Sequence, residues 1–162
     1  MKKIKLVQLS IVLAMCSVTL NAQERHMASA GKLFDKYAYV DAIASYEQIA
    51  EKGHKSAELF QKLGDANYYN GNLMQAAKWY GELFMLNEEV APEYYYRYSQ
   101  SLKSVGDYDK ANAMLEQFSQ KNDADLRAKL YTENKDYLTT IKKNSGRYEV
   151  RKTTINSAYS DY

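Results

Sequence analysis

The chain has 162 residues, 22 of them Lys or Arg and 20 Asp or Glu, for a formal net charge of +2. So even a balance, with both signs interspersed, excludes the basic footprint of a nucleic-acid binder. One Pro and seven Gly leave the chain poor in breakers and favour helix, and 16 Tyr stand against one Trp and four Phe.

At the N-terminus, Lys2, Lys3 and Lys5 precede an apolar run from Leu6 to Leu20, interrupted by Gln8, Ser10, Cys16, Ser17 and Thr19. The run closes on Leu20-Asn21-Ala22. That order is the pattern of a secretory leader, and the run is too short and too polar to cross a bilayer. Residues 1–22 are therefore predicted to be a signal peptide cut after Ala22, leaving Gln23 as the new N-terminus. Cys16 follows Leu13-Ala14-Met15, a partial lipobox. Met15 is large where a small residue is needed, and apolar residues continue through Val18 and Leu20, which disfavours lipid attachment at Cys16. Cleavage after Ala22 leaves no cysteine, so packing rather than disulfides must hold the remainder together.

Residues 23–120 carry an internal repeat. Ala42-Ile43-Ala44-Ser45-Tyr46-Glu47-Gln48-Ile49 returns in kind as Ala76-Ala77-Lys78-Trp79-Tyr80-Gly81-Glu82-Leu83, 34 residues later. Ala111-Asn112-Ala113-Met114-Leu115-Glu116-Gln117-Phe118 follows after another 35. In each copy a small Ala precedes a large side chain by four residues and an apolar one by seven, which is one face of a helix. Upstream lies a second helical pattern with a small residue at its crossing point: Ala30, Gly64 and Ser99. Gly71 and Gly106 suit the left-handed end of a helix, and Asn72 and Asp107 suit the cap of the next one. Pro92 falls at the start of the third unit's first helix, where its missing N–H costs nothing.

These units resemble tetratricopeptide (TPR) repeats. The second, with Phe60, Leu63-Gly64, Asn67, Ala76 and Tyr80, meets the family pattern best. The resemblance implies an all-α solenoid of three helical hairpins that binds other proteins. In that family the first helices of the units line a concave groove. Gln61, Asp65, Tyr68 and Tyr69 of the second unit and Tyr96, Gln100 and Lys103 of the third would face it. Tyrosine suits such a surface, giving a large contact area and a hydroxyl at low entropic cost. An alternative reading assigns the same rings to packing or to ordinary solvated surface. The family's clamp for a C-terminal carboxylate uses basic and Asn side chains at set positions. Here Met27 and Gly31 stand there in the first unit and only Arg97 is basic in the third, which disfavours that mode. An extended or helical segment, or another folded protein, is the expected partner.

Residues 121–144 read as one amphipathic helix, with Leu126, Leu130, Tyr137, Leu138 and Ile141 on one face. A capping helix over the last apolar surface is the default reading, and a separate partner-binding helix the alternative. In 145–162 the period changes after Ser145-Gly146, and Tyr148–Ile155 has strand composition. A lone strand cannot fold, so this stretch is expected to begin a further β domain. The run Ile155-Asn156-Ser157-Ala158-Tyr159-Ser160-Asp161-Tyr162 and the leader ending in Asn-Ala-Gln resemble a group of Bacteroidota envelope proteins. These combine TPR repeats, a WD40-like propeller and a C-terminal OmpA-like domain. The resemblance implies an outer-membrane-associated periplasmic scaffold, some members being linked to type IX secretion. Peptidoglycan would be reached only through the OmpA-like part, which matches no residue here. A TPR lipoprotein supporting glycan uptake is the second reading.

Catalytic patterns are missing from the sequence. His26 and His54 lack metal-ligand spacing, and no phosphate loop or nucleophile motif occurs. Glu47, Glu82 and Glu116 recur at matching positions, as solvated helix faces do. The expectation is a binding protein with neither cofactor nor catalytic residue.

Overall fold

The computed structural model of the chain describes residues 24–147, so the leader expected over 1–22 and the strand expected over 148–155 lie outside the described residues. Within them the chain is helical: α1 (24–35), α2 (Tyr39–Glu51), α3 (Ala57–Tyr69), α4 (Leu73–Met85), α5 (Pro92–Ser104), α6 (Tyr108–Lys121), α7 (Leu126–Glu133) and α8 (Tyr137–Asn144). No strand occurs among the described residues.

Local chemistry sets the helix boundaries. The Ser56 hydroxyl accepts from the Leu59 N–H at 3.2 Å, and the side chains of Asn72 and Asp107 accept from the N–H groups of Gln75 and Lys110 at 3.4 and 3.2 Å. Each removes one orphan donor from a first turn. Gly71 and Gly106 lie at φ +77° and +81°, in the left-handed region that lets α3 and α5 end and the chain reverse. Pro92 occupies the first turn of α5 behind an extended Ala91.

The pairs α3–α4 and α5–α6 stack in chain order, with α2 against α3, α4 against α5 and α6 against α7, and α1 meets α2 where Gly31 faces the Tyr46 hydroxyl. Their contact points are the small residues expected from the repeat: Ala30, Ala42, Gly64, Ala76, Ser99 and Ala111 are all buried. A Cβ built on Gly64 would overlap the Tyr80 ring, so glycine is what admits that side chain between α3 and α4. Tyr46 with Ile49, Tyr80 with Leu83, and Leu115 with Phe118 fill the equivalent interior sites. Burying each such side chain is worth roughly 1.5–3 kcal/mol, and this repeated burial replaces the missing disulfides.

The segment 121–144 departs from the single helix expected. It breaks at Asn134, whose side-chain amide donates to the Leu130 carbonyl at 2.8 Å while its own carbonyl accepts from the Tyr137 N–H at 3.1 Å. Most of the expected apolar face is also turned outward, with only Tyr137 and Leu138 partly buried. Leu126 and Leu130 are 68 % and 50 % exposed and Ile141 is exposed too, while Ala128 is the buried residue of α7. Arg127 explains the rotation: it grips Glu93 of α5 through two hydrogen bonds of 2.8 and 3.2 Å, and this brings its neighbour Ala128 against α6.

Candidate partner-binding face

Not all of the seven residues expected to line a groove reach the surface. Asp65 is the clearest correction, being only 8 % exposed. Its carboxylate accepts from the Tyr80 hydroxyl at 2.7 Å and from Arg97 Nη1 at 2.7 Å. Asp65 therefore braces the interior. Arg97, at 3.3 Å from Glu93, continues the chain to Arg127, which also meets Asp125 at 2.8 Å. Tyr80, Asp65, Arg97, Glu93, Arg127 and Asp125 thus join α4, α3, α5 and α7 through alternating donors and acceptors.

The electrostatics follow the burial. Tyr80 is held neutral far above the usual tyrosine range, first by burial and then by the charge of Asp65 and their hydrogen bond. Tyr94 is pushed up to about 12, by burial first and by Asp65 next. Burial also works against ionisation of Glu93, but the hydrogen bonds and charges of Arg127 and Arg97 outweigh it and hold its carboxyl below the ordinary carboxylate range.

Tyr68 and Tyr69 belong to an aromatic cluster at the C-terminal end of α3, about one turn beyond Asp65. The Tyr69 ring is 46 % exposed. It stacks on Tyr39 with centroids 5.7 Å apart, meets Phe34 edge-on at 6.2 Å and lies 5.2 Å from the Arg97 guanidinium. Tyr68 is half-buried between Tyr69 and Tyr80. Gln61 is partly exposed on α3 and joins neither this cluster nor the brace.

The sequence reading missed the outermost member of this cluster. Tyr37 is 79 % exposed, with its ring 6.2 Å from Tyr39. It adopts φ +61°, and it sits in the turn register that Gly71 and Gly106 occupy in the next two units. A left-handed non-glycine residue costs about 1–2 kcal/mol. The 34-residue offset was the signal that could have found it: a tyrosine stands where the repeat puts glycine.

Tyr96, Gln100 and Lys103 do come together, in a cleft of about 300 Å³ between α5, α7 and the start of α8. Tyr96 is half-buried, packed 5.3 Å from Phe118 with the Arg127 guanidinium 4.2 Å over its ring, so one side of it belongs to the core. Arg127, Leu130, Asn134 and Tyr137 complete the far wall, and none of them was among the seven expected groove residues. On the opposite side of the stack, Trp79 lies against Phe60 beside His54, and its Nε1–H is buried without a partner. Among the described residues no group of three or more His, Cys, Asp or Glu is placed to hold a metal ion, and no helix is long and apolar enough to cross a membrane.

No family model matches the chain, and no curated protein matches it. Solved structures do. PcrH in complex with the chaperone binding region of PopB aligns with a TM-score of 0.53 at 20 % identity, over 67 % of this chain and 86 % of that one. The Yersinia enterocolitica type III secretion translocator chaperone SycD, in an alternative dimer, aligns with a TM-score of 0.52 at 19 % identity, over 78 % of this chain and 96 % of that one. The fold is a TPR-like stack of helical hairpins. It is similar to the fold of type III secretion chaperones, and at these identities the likeness concerns architecture alone.

Proposed function

We propose that this chain is a protein-interaction scaffold that takes up an extended or helical segment of another protein along the face of α1, α3, α5 and α7. The observation that carries this reading is Tyr37, which keeps a strained backbone and an exposed ring where the sister turns use glycine. Among the described residues that ring has an edge contact with Tyr39 and is otherwise largely exposed, and strain retained for so small a structural return points to function. Together with Tyr39, Tyr69 and Phe34 it forms an aromatic ledge suited to grip a partner's side chains. The neighbours support the mode of action, since PcrH was solved with a binding region of PopB and SycD is a translocator chaperone.

The setting we infer is the periplasm of a bacterial envelope, close to the outer membrane, as the TPR arm of an OmpA-family protein with links to secretion or gliding. The leader chemistry of residues 1–22 and the run from Ile155 to Tyr162 support it. Peptidoglycan contact would belong to a further domain, and the scaffold acts by holding partners without chemistry of its own.

Photo-crosslinking tests the face. A benzophenone amino acid at position 69 should capture a defined protein segment from the envelope fraction, the same group at exposed Met74 on α4 should not, and Tyr37→Gly should abolish the capture without loss of helicity. Equal capture from both positions, or capture indifferent to Tyr37→Gly, would remove the ledge from the binding surface. Mass analysis of the exported chain should find Gln23 at its start, and an intact Met1 would remove the envelope setting.

A further inference from the structure

Among the cations at the α5–α7 cleft, Lys103 stands apart. The guanidinium of Arg127 is committed to Glu93 and Asp125. Lys103 forms no ion pair among the described residues, and its ammonium lies 4.8 Å from the centre of the Tyr137 ring. That cation–π contact compensates desolvation only in part. Burial depresses the Lys103 pKa, and no carboxylate acts to raise it again. Among the described residues no acidic side chain lines the cleft.

The remaining donors converge on the same space. The hydroxyls of Tyr131 and Tyr137 are spent on Asn112, at 3.2 and 3.1 Å. Asn134 uses one N–H on the Leu130 carbonyl, and Gln100 uses one on the Ser99 hydroxyl at 3.3 Å. Each amide keeps a second N–H, and both residues line the cleft together with Lys103. The cleft therefore presents one unmatched positive charge and two amide donors over a wall that includes Leu115 and Leu130.

We propose that this cleft is a receptor for a single carboxylate, borne by a residue of the segment that lies along the partner face; the inference rests on that reading of the face. A carboxylate matches the charge count, since one cation is to be neutralised, whereas a phosphate brings about −1.5 to −2 at neutral pH. Its oxygens would accept from Lys103 Nζ and from the Gln100 and Asn134 amides in charge-assisted hydrogen bonds. The apolar wall would hold the methylene stem. The volume admits one residue, so the carboxylate is either an acidic side chain or a chain terminus.

The test uses the 162-residue chain with ¹³C-labelled lysine, following the Lys103 ε-methylene resonance, assigned by its loss in Lys103→Met. Four probes are titrated: N-acetylglutamate N-methylamide, N-acetyl-dileucine with a free carboxylate, the amide of the same dipeptide, and inorganic phosphate. A saturable shift with either carboxylate and none with the amide or phosphate supports the receptor, and the stronger of the two carboxylates names the source. Lys103→Met lacks that reporter, so its affinity is read by titration calorimetry beside the parent; the substitution should weaken the binding about tenfold or more, with a melting temperature equal to or above that of the parent because an unmatched charge has been removed. Equal shifts from the amide or phosphate, no saturable shift from either carboxylate, or full carboxylate affinity in Lys103→Met would overturn the proposal. Crosslinking from position 69 keeps the two readings apart. Capture that survives Lys103→Met at full affinity refutes the carboxylate receptor and leaves the face standing, whereas a successful titration without capture refutes the face alone.

Discussion

The α3–α6 body and the α7–α8 end are built from similar residues by different means. In the body, Gly64 lets Tyr80 sit between α3 and α4, and Ser99 and Ala111 allow the same approach between α5 and α6. At the end, α7 buries Ala128 and α8 buries nothing. What fastens the end is polar: Arg127 to Glu93 and Asp125, Lys135 to Glu116 at 2.7 Å, and two tyrosine hydroxyls on Asn112. Apolar burial at close-packed crossings resists opening, while half-exposed ion pairs are screened and worth little. A stack of this kind is therefore rigid where small residues recur and yielding where charge has replaced them.

The sharpest way to break that contrast is Gly64→Ala. Its Cβ would overlap a ring that is itself fully enclosed, so we expect a loss of about 3 kcal/mol or more in urea unfolding. Relief should follow when Tyr80→Leu is added. A loss below about 1 kcal/mol would mean that the ring can retreat and that the crossing is not close-packed.

A smaller effect separates the two ends of the polar chain. Asp65→Ala leaves the Tyr80 hydroxyl and Arg97 without their shared acceptor in the body, which should cost about 2–3 kcal/mol. Arg127→Gln removes the link to α7, where the side chains are each more than a third exposed in the Arg127–Glu93 pair. Discounted for solvent screening, that loss should be about 1 kcal/mol or less. It should speed amide exchange in α7 while leaving α3 and α4 unchanged. Equal losses from the two variants would erase the distinction.

Alkali should act most gently. Tyrosines in the body and at the end have raised pKa values in the fold, by burial first, so their contribution to stability is present below the ordinary value of 10.0 and is lost as pH rises through the folded values. Tyr131 and Tyr137 are partly exposed and should ionise before Tyr80, releasing Asn112 and loosening α7 and α8. Tyr80 is enclosed beside Asp65 and should ionise only when the body unfolds. Tyrosinate absorbance at 295 nm should therefore rise in a first step without loss of helix in α3–α6 and then in a second that coincides with that loss; a single concerted step would mean that the end is as firmly held as the body.

Much of the hairpin architecture could be read from residues alone because its determinants are local. The small residue followed four positions on by a ring, the left-handed glycines at 71 and 106 and the caps at 72 and 107 act within one or two turns, so their spacing carries the message. The site was less legible. Tyr69 is exposed on α3 and Lys103 lines the α5–α7 cleft, but Asp65 looked equally exposed because its two partners lie 15 and 32 residues away. The break at Asn134 depends on a side chain competing with the backbone for the Leu130 carbonyl, a choice that periodicity does not encode.

By itself the sequence determined the period, the turns and the residues at each close crossing, since backbone propensity and side-chain size act where they stand. Only the tertiary structure decided which tyrosines remain outside, that Asp65 is an internal brace, and that Lys103 faces a cleft without a counter-ion. Those outcomes depend on which side chains meet across stacked helices 30 or more residues apart, and burial, pairing and desolvation are properties of that meeting rather than of any residue alone.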